Sequence, residues 1–272
     1  MLNGECKQAY CNTAQQQCSC FSIVITPDNA ERLQIDWKRR FSVNKESNCS
    51  DKRNLLLTFR IAAFALMLGS TLYSFSLSVH KDTAGYWFIY LTHWSLIIII
   101  SYLGFAWYTF CKVEHLGNDS RQREIPWFAK TTWVLFSVAL PASVTVTLLY
   151  WTLVYDGKAI TLENILIHAV NSLVMLADLL IGSQPLLLIH FLYFLLYAVI
   201  YLIWSLIHHL TRIGDGEGNR YIYATLDWCK LDSTIVTVVI ILIVLPIIYK
   251  ILWGCIFTRD YWYRAKQGIL LV

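Results

Sequence analysis

Six long apolar stretches follow one another from residue 55 onward, and each is long enough to cross a lipid bilayer. A transmembrane helix needs roughly 20 predominantly apolar residues. The sequence therefore predicts an all-α fold, a polytopic membrane bundle of about six transmembrane helices. The six stretches are residues 61–79, 86–110, 131–155, 162–181, 186–207 and 235–257.

Composition supports a membrane rather than an aqueous environment. Hydrophobic residues make up 57% of the 272 residues and aromatic residues 15%, which is more apolar surface than a soluble domain of this length could bury. The formal net charge is only +4, so the charge balance does not point to a nucleic-acid partner. We expect an integral membrane protein that contacts membrane lipids and binds no nucleic acid.

The chain divides into three segments. Residues 1–54 are polar, basic and rich in cysteine, and are predicted to be a disordered cytosolic segment. Residues 55–260 are predicted to form the six-span bundle, and residues 261–272 a short cytosolic tail. The first segment lacks the apolar core of a cleavable signal peptide, so we expect the first span to act as the insertion signal.

Four cysteines crowd the first 20 residues with the spacing C-x4-C-x6-C-x-C. This is not a standard zinc-ligand spacing, and no histidine accompanies it. In a cytosolic segment the thiols would stay reduced, so S-palmitoylation is one interpretation and a disordered tail is the other. Neither requires a metal or a cofactor, and the sequence predicts none.

The distribution of Lys and Arg predicts the orientation. The N-terminal segment together with Arg60, which flanks the first span, carries nine of these residues, the first loop one, the second four and the third one. Cytosolic segments carry the excess. Both termini are therefore predicted to be cytosolic, in a protein of the plasma membrane or an endomembrane. The later loops fit less well, because residues 182–185 contain no Lys or Arg and residues 208–234 contain three. Asn48 and Asn118 begin glycosylation sequons that this orientation would leave unused.

The fourth span carries the densest set of polar residues in the predicted membrane region. At 100° per residue its polar side chains fall within about a third of the helix circumference, and the opposite face suits lipid. An ionisable residue inside a span usually faces the bundle interior. We expect Asp178 to pair with Arg60 or Lys250. The polar stripe is Asn164, His168, Asn171 and Asp178, and the opposite face is Leu166, Leu173 and Leu180.

Thr92 in the second span and His168 in the fourth are candidates for a chemical site. Each lies six residues after the predicted outer end of its span, hence roughly 9 Å deep at 1.5 Å per residue. A neutral imidazole could take the hydroxyl proton while Thr92 attacks an ester carbonyl, with Asn171 orienting the ring or donating to an oxyanion. The substrate would have to be a lipid. The alternative is that these residues only connect helices.

Four segments in order along the chain resemble the rolling stone family of animal multi-pass membrane proteins. They are residues 86–94 (YWFIYLTHW), 167–173 (IHAVNSL), 178–185 (DLLIGSQP) and 221–228 (YIYATLDW). The resemblance covers roughly residues 55–260. It implies a membrane protein associated with muscle development and myoblast fusion, with a fusion partner that the sequence does not identify.

The same family is distantly similar to the androgen-induced and androgen-dependent regulator proteins. Members of that wider group are intramembrane hydrolases of fatty acid esters of hydroxy fatty acids, with a Thr nucleophile and a His. By motif, this similarity implies that Thr92 and His168 would be the matching pair. A third hypothesis is a structural adaptor whose basic residues 38–40 contact anionic lipid.

Overall fold

Six helices long and apolar enough to cross a membrane form the described part of the chain, which contains no β-strand. The computed structural model describes residues 50–116, 125–157, 159–216 and 218–266. The predicted all-α, six-span bundle is confirmed. The helices are α1 (Ser50–His80), α2 (Leu91–Leu116), α3 (Trp127–Leu149), α4 (Leu162–Ile181), α5 (Phe191–Thr211) and α6 (Leu231–Lys266).

Shorter helical turns modify several of these helices. One π-helical turn, Tyr150–Val154, extends α3, and another, Leu166–Val170, lies inside α4. Short 3-10 helices occupy Ala84–Ile89 before α2, Leu188–His190 before α5 and Ala224–Leu226 before α6. A π-helical turn inserts one extra residue per turn and thereby rotates the side chains that follow it.

The second membrane helix begins later than the sequence predicts. The aromatic stretch before it forms the 3-10 helix Ala84–Ile89, and Tyr90 is extended, so α2 begins at Leu91 rather than at Tyr86. Trp87 and Ile89 are buried by this turn. Thr92 is consequently the second residue of α2, and its depth cannot be calculated from six residues of α-helical rise. The prediction that Thr92 and His168 lie at equal depth used a six-residue count from Tyr86, and that count is wrong because α2 begins at Leu91.

The helices pack around one apolar core to which every span contributes. Side chains from the six helices meet there, while α5 and α6 keep most of their apolar surface outward, as helices in lipid do. The predicted lipid-facing side of α4 is confirmed for Leu173 and Leu180, which are exposed, whereas Leu166 is half-buried against the core. Core residues include Met67, Leu96, Phe136, Met175, Phe194 and Tyr249.

A buried ion pair joins α1 to α4. Arg60 Nε lies 3.0 Å from Asp178 Oδ1, and the two side chains are 1% and 0% exposed. The Tyr102 hydroxyl of α2 donates a hydrogen bond to the other oxygen of Asp178, and lies 3.1 Å from Gln184 Oε1. Of the two predicted partners, Asp178 therefore pairs with Arg60, and Lys250 is exposed.

The connection between α4 and α5 is a tight hairpin held inside the bundle. Trp133 of α3 donates through Nε1 to the Pro185 carbonyl at 2.8 Å, and the Tyr249 hydroxyl of α6 donates to the Leu187 carbonyl at 2.8 Å. Arg259 donates to the Gln184 carbonyl at 3.1 Å. Neighbouring helices thus satisfy the loop carbonyls, which is what allows the loop to be buried.

Gly182→Ala is expected to destabilise the protein by about 1–3 kcal/mol, because the added methyl group overpacks a buried site. A Cβ at Gly182 would lie 2.7 Å from the Asp178 carbonyl oxygen and 3.5 Å from Arg60 Nη2. The midpoint of thermal unfolding in detergent measures the effect. The control is Gly254→Ala in α6, where a Cβ meets nothing within 4 Å. Equal midpoints for the two variants would contradict the expectation.

Several predictions fall outside the described residues. They concern the cysteine-rich segment, the basic residues at 38–40, the sequons at Asn48 and Asn118, and the last six residues of the C-terminal tail. They stay predictions.

Candidate functional site

A cavity of about 710 Å³ lies inside the bundle, at the end where the loops before α2, α4 and α6 converge. This volume is in the range of sites that hold a small molecule or a lipid chain. One part of its wall is polar and the rest is apolar. The polar part includes Thr92, His93, Thr145, Glu163 and His168, and the apolar part includes Val146, Phe194, Leu202, Val238 and Leu245.

The first turn of α2, which contains Thr92, is capped by a tyrosine from the loop before α6. The Leu91 N–H, which has no partner within its own helix at this terminus, donates to the Tyr223 hydroxyl at 3.1 Å. The Tyr223 and Thr92 side chains both line the cavity. Burial raises the pKa of Tyr223 to about 12, so the phenol is neutral at physiological pH and can both donate and accept.

His168 lies in the π-helical turn of α4, and its ring stacks on Tyr150 of the π-helical turn that ends α3. The ring centroids are 3.4 Å apart and the planes differ by 3°. Its Nδ1 is buried and has no hydrogen-bond partner among the described residues. The π-helical turn at the end of α3 and the π-helical turn inside α4 therefore contact each other through the Tyr150 and His168 rings. Single π-helical turns occur frequently at functional sites.

A second histidine extends the polar wall beside Thr92. His93 stacks on Trp87 with ring centroids 4.0 Å apart, and its Nδ1 is hydrogen-bonded to the Trp87 carbonyl. Its Nε2 lies 3.4 Å from the Ser74 hydroxyl, which donates to Glu163 at 2.8 Å. The network connects α1, α2 and α4 at the cavity. Sequence reasoning missed Ser74 and Glu163, because only the fold brings them to His93.

The structure brings two of the three predicted residues to the cavity. Thr92 and His168 both line it, although no hydrogen bond joins them within the described residues. Asn171 lies elsewhere: its Oδ1 accepts from the Thr147 hydroxyl at 3.1 Å, and its Nδ2 donates to the Ile167 carbonyl at 2.9 Å. Its amide connects α4 to α3, so its position does not support the predicted role in orienting His168 or binding an oxyanion.

The cavity wall contains polar atoms without partners. Thr145 Oγ1 and His168 Nδ1 are both buried and unbonded among the described residues, and both residues line the cavity. Buried polar groups are normally hydrogen-bonded. The described residues therefore leave part of the hydrogen-bonding capacity of this wall unused.

Six membrane-length helices with a buried ion pair and an internal amphipathic cavity define a polytopic α-helical integral membrane protein. The family model described as Protein rolling stone matches residues 45–269, and the chain belongs to this family. It is similar to Protein rolling stone of Drosophila melanogaster, with 26% identity over 193 residues that cover 66% of this chain and 70% of the fly protein. No solved structure matches.

Three of the four segments that carry the family resemblance meet at the cavity. Residues 86–94 contain Thr92 and His93, residues 167–173 contain His168, and residues 221–228 contain Tyr223, all of which line the cavity. The fourth segment, residues 178–185, supplies Asp178 of the ion pair and the buried hairpin.

Proposed function

We propose that this rolling stone family member acts in cell fusion, in particular myoblast fusion, or in muscle development. The match of the family model over residues 45–269 carries the proposal. The protein would reside in the plasma membrane or an endomembrane with both termini in the cytosol, and would contact membrane lipids and a fusion partner protein.

A cell-mixing experiment tests this role. Cultured myoblasts depleted of their own family member would be supplied with this chain, and multinucleated cells counted. We expect the wild-type chain to restore fusion and a variant with a disrupted bundle, Asp178→Ala, to fail. Equal fusion with and without the chain would contradict the proposal.

The cavity favours a second candidate function, the hydrolysis of lipid esters such as fatty acid esters of hydroxy fatty acids. Thr92 Oγ1 would attack the ester carbonyl while His168 takes its proton, and the leaving alcohol would receive that proton. Water, deprotonated by His168, would then attack the carbonyl of the acyl-Thr92 ester. His168 would return that proton to Thr92 Oγ1 as the carbonyl–Oγ1 bond breaks and the carboxylic acid leaves. Contacts between nucleophile and base often tighten only when substrate is bound, so the missing hydrogen bond between the two side chains is compatible with this chemistry.

The shape of the cavity supports a substrate that arrives from the bilayer. Its apolar wall comes from α3, α5 and α6, and two of its lining residues, Val199 on α5 and Leu242 on α6, are exposed. An acyl chain could therefore pass between these helices while its ester meets the polar wall near Thr92.

Filling the cavity is expected to block lipid binding. Ala198 of α5 lines the cavity, so Ala198→Trp should reduce cross-linking of a diazirine-bearing lipid ester at least about tenfold, because the indole occupies the volume of the acyl chain. Leu196→Trp is the matched control, since Leu196 lies on the exposed side of the same helix. Equal cross-linking of the two variants would show that the lipid binds elsewhere.

A further inference from the structure

Three metal-binding side chains meet at the end of α5, outside the cavity. His209 lies in the last turns of α5, and Asp227 and Cys229 lie in the loop just before α6. An imidazole nitrogen, a carboxylate oxygen and the thiol sulfur all lie within 4.8 Å of one another. The sequence predicts no metal here, because a histidine at the end of one helix and a D-x-C pair in the loop that follows it match no standard ligand spacing.

A separate observation shows that His209 lacks a partner it needs. Its Nδ1 is buried and has no hydrogen bond among the described residues. A buried nitrogen of this kind is usually satisfied by a protein group, a water or an ion. Cys229 is a free and exposed thiol, so an ion could reach the cluster from the aqueous side.

The loop that carries two of the ligands is held in place by other contacts. The Trp228 indole donates to the Ser205 hydroxyl of α5 at 3.2 Å, and the Thr234 hydroxyl of α6 donates to the Asp227 carbonyl at 2.7 Å. The Cys229 N–H donates to Asp227 Oδ1 at 3.0 Å. Hydrogen bonds that fix a ligating carboxylate in this way are typical of metal sites.

We propose that His209, Asp227 and Cys229 bind a zinc ion. Thiolate, imidazole and carboxylate are the ligands that Zn²⁺ takes in proteins, and three protein ligands leave a fourth tetrahedral position for water or another molecule. Lys230 Nζ lies 3.9 Å from Asp227 Oδ2, but its side chain is 74% exposed and can turn to solvent when the ion supplies the positive charge. The ion would fasten the loop before α6 to the end of α5.

Cobalt titration of the full-length protein tests the site. The protein is purified with an affinity tag that contains no histidine, stripped with a chelator, and titrated with Co²⁺, which shows a charge-transfer absorption when a thiolate binds it. We expect one Co²⁺ per chain, displaced by Zn²⁺. His209→Gln and Asp227→Asn should each weaken binding at least about tenfold, and Cys229→Ser should remove the thiolate absorption.

Two controls make the result specific. Cys255→Ser removes another exposed thiol, on α6, and should leave the titration unchanged. A full-length background in which the five N-terminal cysteines are serine should keep the absorption. Absorption that disappears in this background, that survives Cys229→Ser, or that never forms in the monodisperse wild-type protein would overturn the proposal. The five residues are Cys6, Cys11, Cys18, Cys20 and Cys49.

Discussion

Asp178→Ala is expected to lower the free energy of unfolding by about 3–5 kcal/mol, because it leaves the Arg60 guanidinium buried without its counter-charge. The Arg60 side chain is only 1% exposed, so water cannot replace the carboxylate. Arg60 already has two buried nitrogens, Nη1 and Nη2, without partners among the described residues. The carboxylate is thus the main group that compensates this charge. Unfolding in mixed micelles with increasing denaturing detergent measures the loss.

The double variant Arg60→Met with Asp178→Leu separates charge from packing. Replacing both partners by apolar residues leaves no unpaired charge. The free energy of unfolding of the double variant should therefore be closer to that of the wild type than the value for Asp178→Ala is. The pair Arg53–Glu114, whose side chains are 33% and 27% exposed, is the control. Its disruption by Glu114→Ala should cost at most about 1 kcal/mol. An equal loss for Asp178→Ala and Glu114→Ala would contradict the conclusion that the buried Arg60 charge depends on Asp178.

Thr92→Ala is expected to reduce the turnover of a lipid ester at least about 10³-fold, since it removes the nucleophile of the proposed reaction. His168→Ala should have a comparable effect, because a nucleophile and its base act as a unit and their losses do not add. Thr92→Ser should keep measurable turnover, as the hydroxyl remains. Release of the fatty acid from purified protein measures the rates, with gel filtration to verify folding.

Thr145→Ala provides the matched control for this series. Thr145 is also a buried threonine of the cavity wall, and its hydroxyl has no partner among the described residues. Removing this hydroxyl should change turnover by no more than about threefold, because the proposed mechanism gives it no part in the reaction and no described side chain accepts its proton. Loss of turnover in Thr145→Ala with full activity in Thr92→Ala would contradict Thr92 as the nucleophile and identify Thr145 of α3 instead.

The parts of the fold that lipid dictates could be predicted from the sequence. Apolar length identified all six helices, because the backbone in a bilayer must satisfy its own hydrogen bonds. The cost of placing a charge in lipid predicted a basic partner for Asp178, either Arg60 or Lys250, and the fold pairs it with Arg60. The outward position of Leu173 and Leu180 followed from their place opposite the polar stripe of α4. Thr92 and His168 line the same cavity, but no hydrogen bond joins them among the described residues, so their pairing stays a prediction.

The remaining features depend on contacts that no periodic pattern records. A regular 100° per residue predicts neither the 3-10 helix before α2 nor the π-helical turn around His168. The position of Asn171 follows from its partner Thr147 on another helix. Tyr223 reaches Leu91 from more than a hundred residues away, so only the folded chain reveals that it caps α2.

Detection of an acyl group on Thr92 tests the proposed chemistry of the cavity most directly. Purified protein would be mixed with a panel of lipid esters, including fatty acid esters of hydroxy fatty acids, quenched in acid during turnover, and digested for peptide mass spectrometry. The proposed mechanism predicts the acyl mass on the peptide that contains Thr92, and its absence from the same peptide of the Thr92→Ala variant. A folded wild-type protein that consumes none of the esters and carries no acyl group would leave Thr92 and His168 as packing residues and contradict the hydrolase.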